Sequence, residues 1–185
     1  TTLYATLRLL NREDNNILTI EDPVEYTLPG INQVQLKEEI GLTFSSALRT
    51  FLRQDPDIIM LGEIRDQDTA EMAIRSSLTG HLLLSTIHTN SAWGRVARLT
   101  DMGVHSYLIA DTLIACVAQR LIRLLCPHCK EEYKLDSSTA QLIGVKVKQS
   151  YYKAKGCASC YYTGYSGRKA IYEVIKIDAV LSQAI

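Results

Sequence analysis

Two kinds of residue in this chain stand where chemistry would need them. Four cysteines form two Cys-x-x-Cys pairs, Cys126/Cys129 and Cys157/Cys160, and acids or a histidine directly follow short apolar runs. A Cys-x-x-Cys turn can aim two thiolates at one cation, and two such turns make a closed tetrahedral zinc site with no open position for catalysis. The competing reading is four reduced cysteines in a small hydrophobic turn. His128 lies between two of the ligands and could replace one, though four thiolates are the simpler set. The 27 residues from Lys130 to Gly156 are polar and lysine-rich, which predicts a small lobe that needs a metal staple. Cys116, between Ala115 and Val117 in a stretch read as an apolar helix, is expected to be a buried, inert thiol.

The second group points to phosphate chemistry. Ile58-Ile59-Met60-Leu61 runs into Gly62-Glu63, the pattern of a buried strand that ends in a carboxylate. Such a carboxylate can orient a metal ion or polarise the water that attacks a phosphate. Glu21-Asp22-Pro23-Val24-Glu25 places three carboxylates within five residues, a density that calls for a cation, an arginine or water. His88, after Ser85-Thr86-Ile87, could hydrogen-bond a γ-phosphate or relay its presence to a neighbouring subunit. Arg65 could pair with Asp66 or Asp68, or reach toward phosphate. Each has a plainer alternative: a helix cap or exposed charge for Glu63, a solvated acidic turn for Glu21 to Glu25, and a structural role for His88. His81, His105 and His128 have thinner claims.

These residues need elements to hold them. Leu3, Leu7 and Leu10 share one helical face in the first eleven residues. Ile17 to Ile20 is a short β-branched run stopped by Pro23. Ile31 to Lys37 alternates after the Pro29-Gly30 turn and is expected as an edge strand. Thr43 can cap a helix carrying Phe44, Ala47, Leu48, Phe51 and Leu52, which ends before Pro56. Ile58 to Leu61 reads as a strand buried on both faces, Asp68 to Leu78 as a helix closed by Gly80, and His81 to His88 as a third core strand. Helices are expected over about 92–102 and 106–125, the second carrying Leu108, Ile109, Leu113, Val117, Leu121, Leu124 and Leu125 near one face. Gly164 to Arg168 is expected as a turn, and Ala170 to Ile175 as a strand or helix returning to the core. Alternating strands and helices imply an α/β fold with a mainly parallel sheet, whose ligands gather at the carboxyl ends of the strands. Glu21-Asp22, Glu63 and His88 all fall at that edge.

Composition narrows the field. In 185 residues, 46% hydrophobic and 22% charged, twenty Lys and Arg balance twenty Asp and Glu, which excludes disorder, a collagen-like repeat and a disulfide mini-protein. No global field would hold the chain on nucleic acid or an anionic membrane. The longest apolar runs are far short of the roughly 20 residues a membrane span needs, and no export signal opens the chain, so a soluble protein in a reducing cytoplasm is expected. Lys130, Lys134, Lys146, Lys148, Lys153 and Lys155, with Tyr151, Tyr152, Tyr161 and Tyr162, could bind nucleic acid. Glu131, Glu132 and Asp136 dilute that patch, and a structural or protein-docking lobe is favoured.

A phosphate site also needs a glycine-rich loop with a lysine and a hydroxyl at a helix N-terminus. No Gly-x-x-x-x-Gly-Lys-Ser/Thr occurs in these residues, and its expected place lies just before Thr1. Taken together, Thr1-Thr2-Leu3-Tyr4-Ala5, Glu21-Asp22-Pro23-Val24-Glu25, Gly62-Glu63-Ile64-Arg65-Asp66, Ser85-Thr86-Ile87-His88-Thr89-Asn90 and the paired cysteines closely resemble the type II/type IV secretion ATPase superfamily. The resemblance covers nearly the whole chain. It is to the branch of general secretory pathway protein E and the pilus-assembly ATPases.

The resemblance implies a RecA-like (P-loop NTPase) core over 1–124, truncated at its N-terminus, a zinc-binding lobe over 125–163, and a segment over 164–185 packing back on the core. Carried over by position, Glu63 is the main catalytic carboxylate, Glu21 and Asp22 help to position water or magnesium, Glu25 completes the acidic box, and His88 senses phosphate. Thr1 and Thr2 follow the phosphate loop and, with Glu25 and Arg65, belong to the nucleotide-binding set. The implied cofactors are ATP, Mg2+ and Zn2+. The implied setting is a homo-hexamer on the cytoplasmic side of the inner membrane, working through secretion or pilus platform proteins, with nucleic acid not expected as a partner. Without its phosphate loop the chain is expected to be inactive by itself. The alternatives are a DNA-uptake or DNA-transfer ATPase of the same superfamily and a non-catalytic zinc-ribbon module that binds protein.

Overall fold

A computed structural model describes residues 2–145 and 150–185. The expectations placed on Thr1, Lys146 and Lys148 lie outside the described residues. Two compact units emerge, one of residues 1–118 with 174–185 and one of residues 119–173.

In the first unit the helix α1 (Thr2–Leu10) leads into β1 (Ile17–Glu21), followed by β2 (Asn32–Gln35), α2 (Phe44–Phe51), β3 (Ile58–Leu61), α3 (Gln67–Leu78), β4 (Leu82–Ser85), α4 (Gly94–Asp101) and α5 (Ser106–Thr112). The four strands form one sheet in the order β2-β1-β3-β4, and every pair is parallel. The expected edge strand, β2, is at an edge. Thr43 caps α2 as expected: its side chain accepts from the Ser46 amide, and Ser46 accepts in return from the Thr43 amide.

Side-chain alternation along the strands builds a core on each face of the sheet. Leu18, Ile20, Ile59 and Leu61 pack with Phe44, Leu48 and Phe51 of α2 and with Ala70, Ala73 and Ile74 of α3. On the other face Ile17, Ile58 and Met60 pack with Tyr4 and Leu7 of α1 and with Leu28 and Ile31. Every residue of β1 and β3 is buried, which explains why β3 is apolar throughout, while β1 buries polar Thr19 and Glu21 as well. The same period puts Thr19 and Glu21 on the face of Ile17, toward α1.

The helix expected over 106–125 stops at Thr112, and β5 (Ala115–Leu125) is a strand. Cys116 is buried as expected, but in that strand. The partner of β5 is β8 (Tyr165–Lys176), so residues 165–168 begin a strand where a turn was expected. Ile177 donates to Ile114 at one end of this ribbon and Cys126 to Gly164 at the other, so the two strands run antiparallel. The helical spacing of Leu113, Val117, Leu121 and Leu124 was real, but a strand partner some fifty residues further along the chain decides the backbone. The first unit ends with the short α7 (Ala179–Gln183), whose Ser182 hydroxyl donates to the Ala110 carbonyl.

In the second unit β6 (Glu131–Tyr133) pairs antiparallel with β7 (Tyr151–Lys153), and α6 (Ser137–Leu142) is capped by the Asp136 carboxylate on the Thr139 amide. Its buried side chains among the described residues are Cys126, Ala140 and Cys160. None of the helices among the described residues is long and apolar enough to cross a membrane.

Candidate functional site

The parallel register brings the ends of β1, β3 and β4 side by side, with Ile20 opposite Leu61 and Leu61 opposite Ser85. The ladder continues past the strands: Gly62 donates to the Ile20 carbonyl, Ile64 to the Thr86 carbonyl, and the Thr86 hydroxyl to the Gly62 carbonyl at 2.6 Å. Gly62 permits this closeness, since a Cβ there would lie 3.3 Å from the Ile20 oxygen and 3.4 Å from the Glu21 Cα. Glu63 and His88 therefore leave the sheet as neighbours.

Glu63, with only 17% of its side chain exposed, meets a guanidinium and an imidazole. One oxygen accepts from Arg65 Nη2 at 2.6 Å, and the other is 3.4 Å from His88 Nε2. The Arg65 guanidinium, helped by His88, holds the Glu63 carboxyl below the usual carboxylate range, against the opposing effect of partial burial. Arg65 also approaches Asp22 at 3.6 Å and so bridges the acidic turn to the end of β3. Neither sequence-level pairing for Arg65 occurs. Asp66 instead caps α3 by accepting from the Thr69 amide at 2.8 Å. His88 is 88% exposed in its side chain, Asp22 is 40% exposed, and Glu25 is exposed as well.

Glu21 is built differently. It is 4% exposed and both oxygens are engaged by uncharged donors. Thr19 Oγ1 donates to Oε1 at 2.6 Å, Gln33 Nε2 donates to the same oxygen at 3.1 Å, and the Tyr4 hydroxyl donates to Oε2. Burial and this bond to Glu21 push the Tyr4 hydroxyl pKa up. The Tyr4 oxygen accepts from the Glu25 amide at 3.1 Å, and its ring stacks on Tyr26 with centroids 4.4 Å apart. Tyr4, Thr19 and Gln33 were missed by the sequence reading. The signal for Thr19 was its place two residues before Glu21 on one strand, but Tyr4 and Gln33 meet Glu21 only through the tertiary fold. Thr2, at the start of α1, is exposed.

The structure brings the two cysteine pairs together. The Sγ atoms of Cys126, Cys129, Cys157 and Cys160 all lie within 4.8 Å of one another, and none is in a disulfide. The closer separations are 4.0 Å for Cys126 to Cys157 and 3.8 Å for both Cys129 and Cys157 to Cys160. Four sulfurs about 2.3 Å from a central zinc stand about 3.8 Å apart in a tetrahedron. The donor set and its spacing fit zinc. Amides already point at the sulfurs: Gly156 donates to Cys129 at 3.3 Å, and Cys157 and Gly164 donate to Cys160 at 3.2 Å. These amides hold the Cys160 thiol down to about 6, while desolvation pushes Cys129 up to about 12. Gly156 is required here, because at φ +108° a Cβ would stand 2.6 Å from the Tyr162 carbonyl oxygen. His128 is not among the clustered ligands.

A parallel sheet with acids and a histidine at its carboxyl edge, in one chain with a cluster of four cysteines that could hold a metal ion, defines an α/β protein with two candidate sites. The chain matches the Type II/IV secretion system protein family over residues 1–185 and belongs to it. It is 51% identical over 180 residues to the type II secretion system protein E of Pseudomonas aeruginosa, covering 96% of this chain and 36% of that one. It is 48% identical over 188 residues to the type IV pilus assembly ATPase PilB of Thermus thermophilus, covering 100% of this chain and 21% of that one. Among solved structures it resembles the ADP-bound pilus retraction motor PilT, with a TM-score of 0.70 and 26% identity over 99% of this chain and 45% of that one. The chain thus spans about a third of the length of the protein E relative and about a fifth of the PilB relative.

Proposed function

We propose that the protein carrying this chain is a P-loop ATPase of the secretion and pilus-assembly type. In this reading residues 1–124 belong to the RecA-like core, 125–163 form the zinc lobe, and 164–185 return to the core. The observation that carries the reading is the Glu63 carboxylate, set between Arg65 and His88 where adjacent parallel strands end, in a chain of this family.

Glu63 is partly buried and carries a depressed pKa, so it is ionised at neutral pH and can accept a hydrogen bond from the attacking water or its proton. Asp22 and Glu25, both exposed at the same turn, present free carboxylate surface toward solvent and are proposed to position water and the magnesium ion. Magnesium, when bound with ATP, supplies charge neutralisation on the β- and γ-phosphates. Exposed His88 is proposed to contact the γ-phosphate. Arg65 then has a choice of anions: its present partners Glu63 and Asp22, or phosphate. Thr1 and Thr2 are proposed to adjoin the phosphate loop. Cys126, Cys129, Cys157 and Cys160 are proposed to hold one structural zinc, and the assembled protein to act as a cytoplasmic homo-hexamer against membrane platform proteins.

The test is ATP hydrolysis by the protein at the length of its relatives, with the Glu63→Gln variant beside it. We expect hydrolysis to fall by at least about a hundredfold while nucleotide binding persists, since only the group acting on water is lost. Hydrolysis indifferent to Glu63 would move the reading to a zinc-stapled binding module.

A further inference from the structure

Glu21 heads the acidic turn, yet its carboxylate has no oxygen left over. A group that touches water, metal or phosphate needs a path to solvent, as exposed Asp22 and Glu25 have. Glu21 is 4% exposed and receives donors from three elements: Tyr4 of α1, Thr19 of β1 and Gln33 of β2. Two of those donors also hold the turn directly. The Tyr4 oxygen accepts from the Glu25 amide at 3.1 Å, and Gln33 accepts from the Leu28 amide at 2.6 Å while donating to the Tyr26 carbonyl at 3.2 Å. The loop from Glu21 to Leu28 is thus tied at Glu21, Glu25, Tyr26 and Leu28 to one hydrogen-bond network whose centre, at Glu21, is buried. Every buried side-chain polar atom among the described residues has a partner, so this network is complete as it stands.

We propose that Tyr4 is a positioning residue of the acidic turn: acting through Glu21 and the Glu25 amide, its hydroxyl fixes where the Asp22 and Glu25 carboxylates stand, and Glu21 serves as its anchor rather than touching nucleotide. The reason is geometric. Tyr4 lies in the first turns of α1, on the face of the sheet that Ile17, Thr19 and Glu21 share. Its hydroxyl donates to one residue of the turn and accepts from another four positions on. A phenol does both with one oxygen, and phenylalanine can do neither. Stacking on Tyr26 holds the ring itself, so the hydroxyl's position does not depend on the bonds it makes. This inference rests on the ATPase reading for its kinetic consequence and on the hydrogen bonds alone for its structural one.

The experiment therefore has two arms. In the full-length protein, Tyr4→Phe keeps the ring and removes the two bonds. The expected result is a kcat about tenfold to a hundredfold lower, with KM for ATP within about twofold, because misplaced positioning groups lower the rate more than binding. Glu21→Gln should give a similar loss, and the double variant should be no worse than the poorer single one, since both remove the same link. The second arm is hydrogen exchange at the Glu25 amide, which should speed up at least about tenfold in Tyr4→Phe while amides of β3 keep their protection. Wild-type kcat in Tyr4→Phe, additive losses, or unchanged Glu25 exchange would each overturn the proposal. If the wild-type protein hydrolyses no ATP, the ATPase reading fails, and the exchange arm still decides whether Tyr4 positions the turn.

Discussion

The sheet edge and the cysteine cluster both hold ligand groups at fixed spacing, but different forces hold them. At the sheet edge the groups come from three separated strands, and a core on each face of the sheet, with Ile20, Ile59 and Leu61 at 0% exposure, fixes the strands before any ligand arrives. Among the described residues of 119–173 the buried side chains are Cys126, Ala140 and Cys160, so the cysteines themselves are most of that described interior. A region with so little apolar burial cannot offset the entropy of ordering its chain without a staple. The sheet edge should therefore keep its geometry when its ligand leaves, and the cysteine lobe should not.

Metal removal is the sharpest way to break that contrast. We expect about one zinc per chain by elemental analysis after purification without chelator. Stripping it, or replacing Cys126 with serine, should unfold the lobe alone, because structural zinc contributes on the order of 10 kcal/mol to small metal-dependent folds. Amide exchange at Gly156, Cys157 and Gly164, which point at or lie beside the sulfurs, should lose protection, while Ile59 and Leu61 of β3 keep theirs. A metal-free lobe with these amides still protected would remove the distinction.

The second effect reverses the roles. Glu63→Gln should abolish most hydrolysis in the full-length protein, by at least about a hundredfold, and leave the zinc content and the folded structure of both regions unchanged. The substitution keeps side-chain shape at an edge whose architecture comes from β1, β3 and β4. A Glu63→Gln protein that has lost its fold would show that the edge, like the lobe, depends on its functional groups for structure.

Which parts could be read from the chain follows the same division. The strand ends were legible because Ile17 to Ile20 is a short β-branched run and Ile58 to Leu61 a continuous apolar one, each soon followed by an acid, and a parallel sheet puts such ends together. The cysteine cluster was legible because each pair is local, so only one long-range contact had to be guessed. The ribbon of β5 and β8 was not, since Leu113, Val117, Leu121 and Leu124 keep helical spacing and the strand exists only by pairing with residues about fifty positions later. The surroundings of Glu21 were illegible for a related reason: Tyr4 and Gln33 reach it from other elements. Spacing alone left Arg65 open between the nearer acids Asp66 and Asp68 and a phosphate, whereas the strand end turns it back toward Glu63 and Asp22.

A smaller effect tests whether the core unit is independent of the lobe. Asp66 accepts from the Thr69 amide at the start of α3, and Asp66→Ala should cost about 1 kcal/mol, the usual value for a lost N-cap. In a chain of this size that is a fall in melting temperature of roughly 2–4 °C. The loss should appear in the core transition and leave zinc affinity unchanged. Equal loss of zinc affinity would mean that the two regions unfold as one.

The smallest expected effect concerns the charge balance at the edge itself. Arg65 lowers the Glu63 pKa chiefly through the 2.6 Å hydrogen bond, with Coulomb attraction and His88 adding to it. A carboxylate whose folded pKa lies below its unfolded value stabilises the fold above that unfolded value, near 4.5, and the contribution disappears as pH falls through the lower folded pKa. Arg65→Met removes the main cause, so the Glu63 titration should move up toward 4.5, and the stability that Glu63 supplies above that pH, together with its loss on acidification, should largely vanish. Arg65 is half exposed and its attraction is screened by solvent, so melting is a poor readout and the carboxyl carbon of Glu63, followed by NMR against pH, is the better one. Salt should shrink the difference between the two proteins. If Glu63 titrates identically with and without Arg65, the guanidinium is not its partner in solution, and Arg65 is already free to meet an incoming phosphate without giving up an internal anion.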